Sequence, residues 1–257
     1  MYIATAVMLA ALVAAQSASA KTASEWKRND PDRPIPHQVE DARPITIPPP
    51  SDAIILFDGA DLSAFRLDPQ YGWTVSDGNL IAGGQIRNYL ETRQHFGNLQ
   101  IHLEFMTPYP PLGEGQKRGN SGVFLLGAYE IQIMDPAENP TFADGLPGSI
   151  YGQTPPSVLA ARKPGEWQSY DIVFHAPDFD GDELVSPPTV TVLHNGVLVQ
   201  DHTIVRGDTI PRVQPPEYRT RIERGPLVLQ DHGDAGGRVR FRNFWVRPLD
   251  GPAADDG

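Results

Sequence analysis

The chain has 257 residues, a formal charge of −11 and no cysteine. The acidic balance argues against nucleic acid as a partner, because phosphate binding needs a basic surface, and the missing thiols exclude disulfides and thiolate metal sites. The 26 prolines and 24 glycines suit many short strands joined by turns and argue against long helices.

Residues 2–20 contain no charged side chain, and Ile3 to Ala15 is nearly all apolar. The run ends in Ala18-Ser19-Ala20, a small-residue pattern that a signal peptidase accepts. A cleaved signal peptide over residues 1–20 is therefore expected, and with it a periplasmic or secreted protein. The start has no Lys or Arg, so an uncleaved anchor is the competing reading. No later segment is long and apolar enough to span a membrane. Residues 21–51 hold Pro31, Pro34, Pro36, Pro44 and the run Pro48-Pro49-Pro50 without an apolar period. They predict an extended arm rather than a packed element. Residues 250–257 read as a disordered tail, which leaves 52–249 as one domain.

Inside that domain the hydrophobic period is two. Ile54 to Phe57 reads as a strand ending at Asp58-Gly59. Trp73 to Val75 and Leu80-Ile81 flank Asp77-Gly78, a favoured hairpin turn. Leu99, Ile101, Leu103 and Phe105 alternate with Gln100, His102, Glu104 and Met106. Val123 to Leu126, Tyr129 to Met134 and Trp167 to Phe174 follow. Asn195-Gly196 joins Val190–Leu193 to Val197–Val199 as a second hairpin. Leu227 to Leu229 and Val239 to Val246 close the set. About ten strands without a convincing helix predict an all-β fold, a two-sheet sandwich or jelly roll. The irregular stretch from Asp135 to Gly165, with Phe142 and Tyr151, is long enough to predict an ordered loop over a site.

The same alternation sorts candidate site residues. If Ile131 and Ile133 enter the core, Glu130 and Gln132 face away from it. The preceding Arg118-Gly119-Asn120-Ser121-Gly122 places small residues and an amide beside Glu130. Gln230 and His232 share one face of the next candidate strand, opposite Leu229 and Asp231. A carboxyl and an imidazole converging in a cleft can do acid–base work, and amides both donate to and accept from sugar hydroxyls. A solvated sheet face and a structural histidine are the competing readings. Trp73, Tyr151 and Trp167 could stack on a sugar or simply pack. There is no nucleophile elbow, phosphate loop or zinc-binding His pair. A second acid at strand spacing from Glu130 is absent, because position 132 is Gln. Asp178-Phe179-Asp180-Gly181-Asp182 loosely resembles a calcium loop but lacks its terminal acid, and reads as a turn.

Seven blocks in order, ILFDGADLSAF, RGNSGVFL with YEIQIMD, GSIYGQTPP, KPGEWQSYDIVFHAP, HNGV, GPLVLQDHG and VRFRNFWVRPL, resemble the 3-keto-disaccharide hydrolase family from Ile54 to Leu249. The resemblance implies a concanavalin-A-like jelly roll, export, and a small-molecule glycoside substrate already oxidised to a ketone at C3. It also implies an upstream sugar 3-oxidoreductase. Elimination of the aglycone followed by hydration needs a base, an acid and an electrophile for the enolate oxygen. On that resemblance Glu130 and His232 are the acid–base pair. Arg118 and Asn120 are candidates for the carbonyl oxygen, and Gln132, Asp135, Tyr151 and Gln230 for hydroxyls. A divalent cation on Glu130, Asp135 or His232 is the alternative electrophile. A non-catalytic carbohydrate-binding module and a conventional glycosidase share the fold and stay open.

Overall fold

The computed structural model describes residues 25–83, 86–209, 216–234 and 238–250. The expected signal peptide and nearly all of the expected tail lie outside them. No helix among the described residues is long and apolar enough to cross a membrane.

The strands in chain order are β1 (Ile54–Phe57), β2 (Phe65–Arg66), β3 (Thr74–Ser76), β4 (Asn79–Ile81), β5 (Asn88–Phe96), β6 (Leu99–Met106), β7 (Ser121–Leu125) and β8 (Tyr129–Ile133). They continue as β9 (Trp167–His175), β10 (Asp178–Asp180), β11 (Glu183–Ser186), β12 (Thr189–His194), β13 (Val197–Ile204), β14 (Gly225–Asp231) and β15 (Arg240–Pro248). One sheet runs β13-β12-β9-β6-β15-β4-β3, with β1 also on β15, and the other runs β2-β5-β14-β7-β8. All their pairings are antiparallel.

The two sheets pack face to face as a β-sandwich. Leu99, Ile101, Leu103 and Phe105 of β6 are fully buried between them, with Ile131 and Ile133 of β8. Ring pairs bridge the layers, Tyr129 with Phe174 at 6.1 Å and Phe65 with Phe244 at 6.2 Å. Each such side chain contributes about 1.5–3 kcal/mol by leaving water. Both expected hairpins form. Asp77-Gly78 and Asn195-Gly196 adopt paired positive φ values of 52° and 72°, and of 52° and 77°, the geometry whose twist matches the flanking strands.

Three sequence expectations change. Residues 178–186 are a separate hairpin, β10 with β11, turning at Gly181, rather than a bare turn. Strand β5, nine residues long, was not foreseen. The arm is extended but is no free linker. Val39 N–H donates to Leu159 O at 2.8 Å, and Ile45 N–H donates to Ser169 Oγ at 3.1 Å. Trp245 Nε1 donates to Ile47 O at 3.0 Å. The arm covers the outer face of β6, β9 and β15, whose His102 and Glu104 are buried and would otherwise lie in water.

Candidate active site

The site sits on the outer face of the smaller sheet. With Ile131 and Ile133 in the core, β8 must present Glu130 and Gln132 outward. The register Phe124↔Glu130 and Gly122↔Gln132 puts Phe124 and Gly122 of β7 on that same face. On β14 and β5 the pair Gln230↔Tyr89 does likewise. Tyr89 meets Phe124 edge-on at 5.8 Å and forms an apolar wall.

Glu130, Phe124, Gln230 and Tyr89 line a cavity of about 160 Å³ that also takes in Asn120, Tyr151, Thr209, His232, Arg87 and Arg28. Tyr151, Thr209 and His232 are held by β8 and β14. The long loop lies along β8, with Tyr151 N–H donating to Glu130 O and Gln132 N–H to Ser149 O, both at 3.0 Å. That pairing fixes Tyr151 beside the glutamate. Thr209 Oγ1 accepts from Glu130 N–H at 3.0 Å. His232 follows β14 directly.

Glu130 is 4% exposed, and no hydrogen bond reaches its carboxyl among the described residues. Burial pushes its pKa up to about 8, with Arg28 and Arg87 pulling it back, so the group is largely protonated at neutral pH. Burial pushes the His232 pKa down, opposed by Asp234 and assisted by Arg87. His232 Nδ1 lies 2.7 Å from Asp234 Oδ2, which assigns the proton to Nδ1 and leaves Nε2 as an acceptor. Arg87 Nη2 contacts that Nε2. Burial, with Glu130 adding to it, also raises the Tyr151 hydroxyl.

The amide side chains are only partly satisfied. Gln132 Nε2 donates to Gln116 Oε1 at 2.9 Å and approaches Asn120 Oδ1 at 3.5 Å. Its own Oε1, and that of Gln230, are buried without partners among the described residues. A buried acceptor left unpaired costs about 1–3 kcal/mol, so Gln230 in the cavity marks a place where a hydroxyl donor would be stabilising.

Five expected site residues, Glu130, His232, Asn120, Tyr151 and Gln230, thus share one cavity, with Gln132 buried directly behind it. Arg118 and Asp135 do not join them. Arg118 Nε donates to Asp135 Oδ2 at 2.7 Å and its Nη2 to Ala137 O at 2.7 Å, so the pair holds the loop base. With Asp135 engaged there, the donor set foreseen for a cation is incomplete. Among the described residues no cluster of three or more His, Asp or Glu could hold a metal, and two guanidinium groups already face Glu130. The residues do not fit a bound divalent cation.

Trp73 and Trp167 are also elsewhere. Trp73 packs on Phe241 at 6.2 Å and donates to Asn88 Oδ1. Trp167 lies 4.0 Å beneath Arg242 on the other sheet. The residues not foreseen are Arg28, Arg87, Tyr89, Phe124, Thr209 and Asp234. Asp234 was legible as the second acid of Asp231-His232-Gly233-Asp234. The two arginines carried no local signal, since only the fold brings the arm and the start of β5 to β8.

The family model of the 3-keto-alpha-glucoside-1,2-lyase-like domain matches residues 52–247. A crystal structure of a candidate glycosyl hydrolase from Parabacteroides distasonis is 44% identical, with a TM-score of 0.72 over 77% of this chain and 84% of that one. A second candidate glycosyl hydrolase from the same organism is 24% identical, with a TM-score of 0.57 over 77% and 99% of the two chains, and shares the fold. No curated protein matches the chain.

Proposed function

The chain belongs to the 3-keto-alpha-glucoside-1,2-lyase-like domain family, and we propose that it cleaves glycosides already oxidised at C3, by elimination followed by hydration. The observation that supports this most is that Glu130 is the single carboxyl among the described residues lining the cavity, which it shares with a neutral His232. Conventional glycosidases flank the bond with two carboxyls, about 5–5.5 Å apart in retaining enzymes. A C3 ketone removes that need, because it acidifies the C2 proton.

In this reading the substrate's C3 oxygen draws Arg87 off His232 Nε2, and that nitrogen takes the C2 proton while Asp234 keeps the proton on Nδ1. The electrons move toward the C3 oxygen, where Arg87 stabilises the enolate. As the enolate collapses, the C1–O bond breaks and Glu130 gives its proton to the leaving oxygen. The products are the free aglycone and a C1=C2 enone. Water then adds at C1, losing its proton to the Glu130 carboxylate, and the imidazolium returns a proton to C2. The sum is hydrolysis. Asn120 and Gln230 would bind ring hydroxyls, with Gln132 orienting Asn120.

The apolar run ending at Ala20 supports action outside the cytoplasm. The chemistry requires an oxidoreductase upstream that makes the ketone at C3.

The test is incubation with a 3-keto-disaccharide and with its unoxidised parent, in D₂O. Elimination and hydration release sugar from the keto form alone and leave solvent deuterium at C2. Cleavage of the parent without deuterium at C2 would mean a conventional glycosidase. Binding of both without release would mean a carbohydrate-binding module. Either result overturns the proposal.

A further inference from the structure

We infer that the N-terminal arm, which lies outside the family domain, completes the active site, with Arg28 as a substrate-binding residue. The inference rests on the reaction proposed above for what Arg28 binds, a sugar oxygen, and on geometry alone for its being there.

The family model begins at residue 52, yet Arg28 lines the same cavity as Glu130, His232 and Gln230. The arm is anchored beside it. Asn29 N–H lies 3.0 and 3.2 Å from the two carboxylate oxygens of Asp144. Arg33, 6% exposed, donates to Gln153 O at 2.9 Å. Both partners belong to the long loop that carries Tyr151, so loop and arm are held as one wall.

Arg28 itself is built in. Its guanidinium carbon lies 4.9 Å over the Tyr151 ring centroid, a stacking arrangement that arginine favours. The next loop residue, Gly152, has φ +69°, and a Cβ there would stand 2.7 Å from Arg28 Nε. The positive φ favours glycine there, and with no side chain at that position the arginine lies directly across the loop backbone. An independent feature points to a ligand in the same space. Gln230 Oε1 is buried in the cavity wall without a partner among the described residues, which a sugar hydroxyl would satisfy while the guanidinium binds neighbouring oxygens. The arm therefore contributes a donor fork to a site whose acid and base come from the sandwich.

The experiment compares full-length wild type with Arg28→Ala, Arg28→Lys and an exposed arm control, Lys27→Ala. Two readouts are taken, kcat and KM on a 3-keto-disaccharide and the titration of the ¹³C-labelled Glu130 carboxyl. Losing a charged hydrogen bond costs about 1.5–3 kcal/mol, so Arg28→Ala should lower kcat/KM by about 10- to 100-fold. Arg28 pulls the Glu130 pKa down, so its removal should also move the Glu130 midpoint upward. Arg28→Lys should restore the midpoint but only part of kcat/KM, because lysine lacks the planar fork. Lys27→Ala should change neither. An Arg28→Ala enzyme with unchanged kcat/KM overturns the inference. If wild type turns over no keto-glycoside, the proposed reaction fails instead, and the Glu130 titration still decides the arm. An unmoved midpoint then overturns its place at the site.

Discussion

A methyl group on Gly122 would stand 2.5 Å from Glu130 Oε1 and 2.9 Å from its Cγ. The Glu130 carboxyl therefore fills the space that a side chain on the neighbouring strand would occupy. Gly122 is not needed for its backbone, since it sits inside a regular strand. Its function is to be absent as a side chain.

The first prediction follows from that relationship. Gly122→Ala forces Glu130 to swing or β7 to shift, an overpacking cost of about 1–3 kcal/mol. On the proposed reaction kcat/KM should fall by at least about 100-fold, the scale of acid–base catalysis, with a modest drop in Tm. Steady-state kinetics beside a thermal melt checks this. Normal turnover in Gly122→Ala would mean that the carboxyl is not held where the chemistry needs it.

A second prediction concerns pH. With Glu130 pushed up to about 8 and His232 pushed down, the proposed reaction would run with a protonated acid and a neutral base. Activity should rise on passing the lowered His232 value, hold near neutrality, and fall as pH rises through about 8. The linked stability term has a definite sign. The folded state keeps the Glu130 proton where the unfolded chain has lost it, so this contribution is present below the unfolded value of 4.5 and is lost as pH rises through about 8. Glu130→Gln should be inactive yet should lose less stability than wild type over that range. Melts from pH 5 to about pH 9 across this window provide the comparison.

How much of this was readable in the sequence varies by residue, for physical reasons. Alternation placed Glu130 and Gln132 opposite Ile131 and Ile133, and Gln230 opposite Leu229, because one side of each strand had to be buried. The two Gly-containing turns announced their hairpins. Strand β5 escaped because its inward face includes Asn88 and Thr92, both buried polar groups. Thr92 Oγ1 accepts from Leu227 N–H at 3.0 Å across a register shift, which breaks the apolar pattern. Arg118 looked free because its partner is 17 positions away, at the far side of a loop reversal that the sequence does not encode locally. Arg87 and Arg28 reach the cavity only through tertiary structure.

A third prediction separates orientation from binding. Asp234 holds the Nδ1 proton of His232 at 2.7 Å and makes no other contribution to the cavity wall. Asp234→Asn should reduce kcat by about 100-fold, near the lower end for a misoriented base, while KM changes little. Because Asp234 raises the His232 pKa, its loss should also move the acidic limb of the pH profile to lower pH. A limb that stays in place would assign the acidic limb to another group.

The last prediction lies on the opposite sheet, where the arm crosses the sandwich. His102 stacks on Trp245 at 5.4 Å, its Nδ1 lies 2.7 Å from Asp171 Oδ1, and its Nε2 lies 3.8 Å from Glu104 Oε1. Glu104 also accepts from Arg242 at 2.7 Å and from Asn243 at 3.0 Å, and Asn243 and Trp245 donate to Ile47 O of the arm. Burial works against charge on both groups. The carboxylates nevertheless raise His102, and His102, Asn243 and Arg242 lower Glu104 to about 2. The Glu104 contribution is present above its unfolded value of 4.5 and is lost as pH falls through about 2. The His102 contribution runs the other way, full below 6.5 and lost as pH rises through its raised value. Glu104→Gln should flatten the acid side of the stability curve and, by weakening the frame beneath Ile47, expose backbone amides of residues 45–47 to hydrogen exchange. Unchanged exchange there would mean that the arm is held by Trp245 and Ser169 alone, independently of the ionic cluster beneath it.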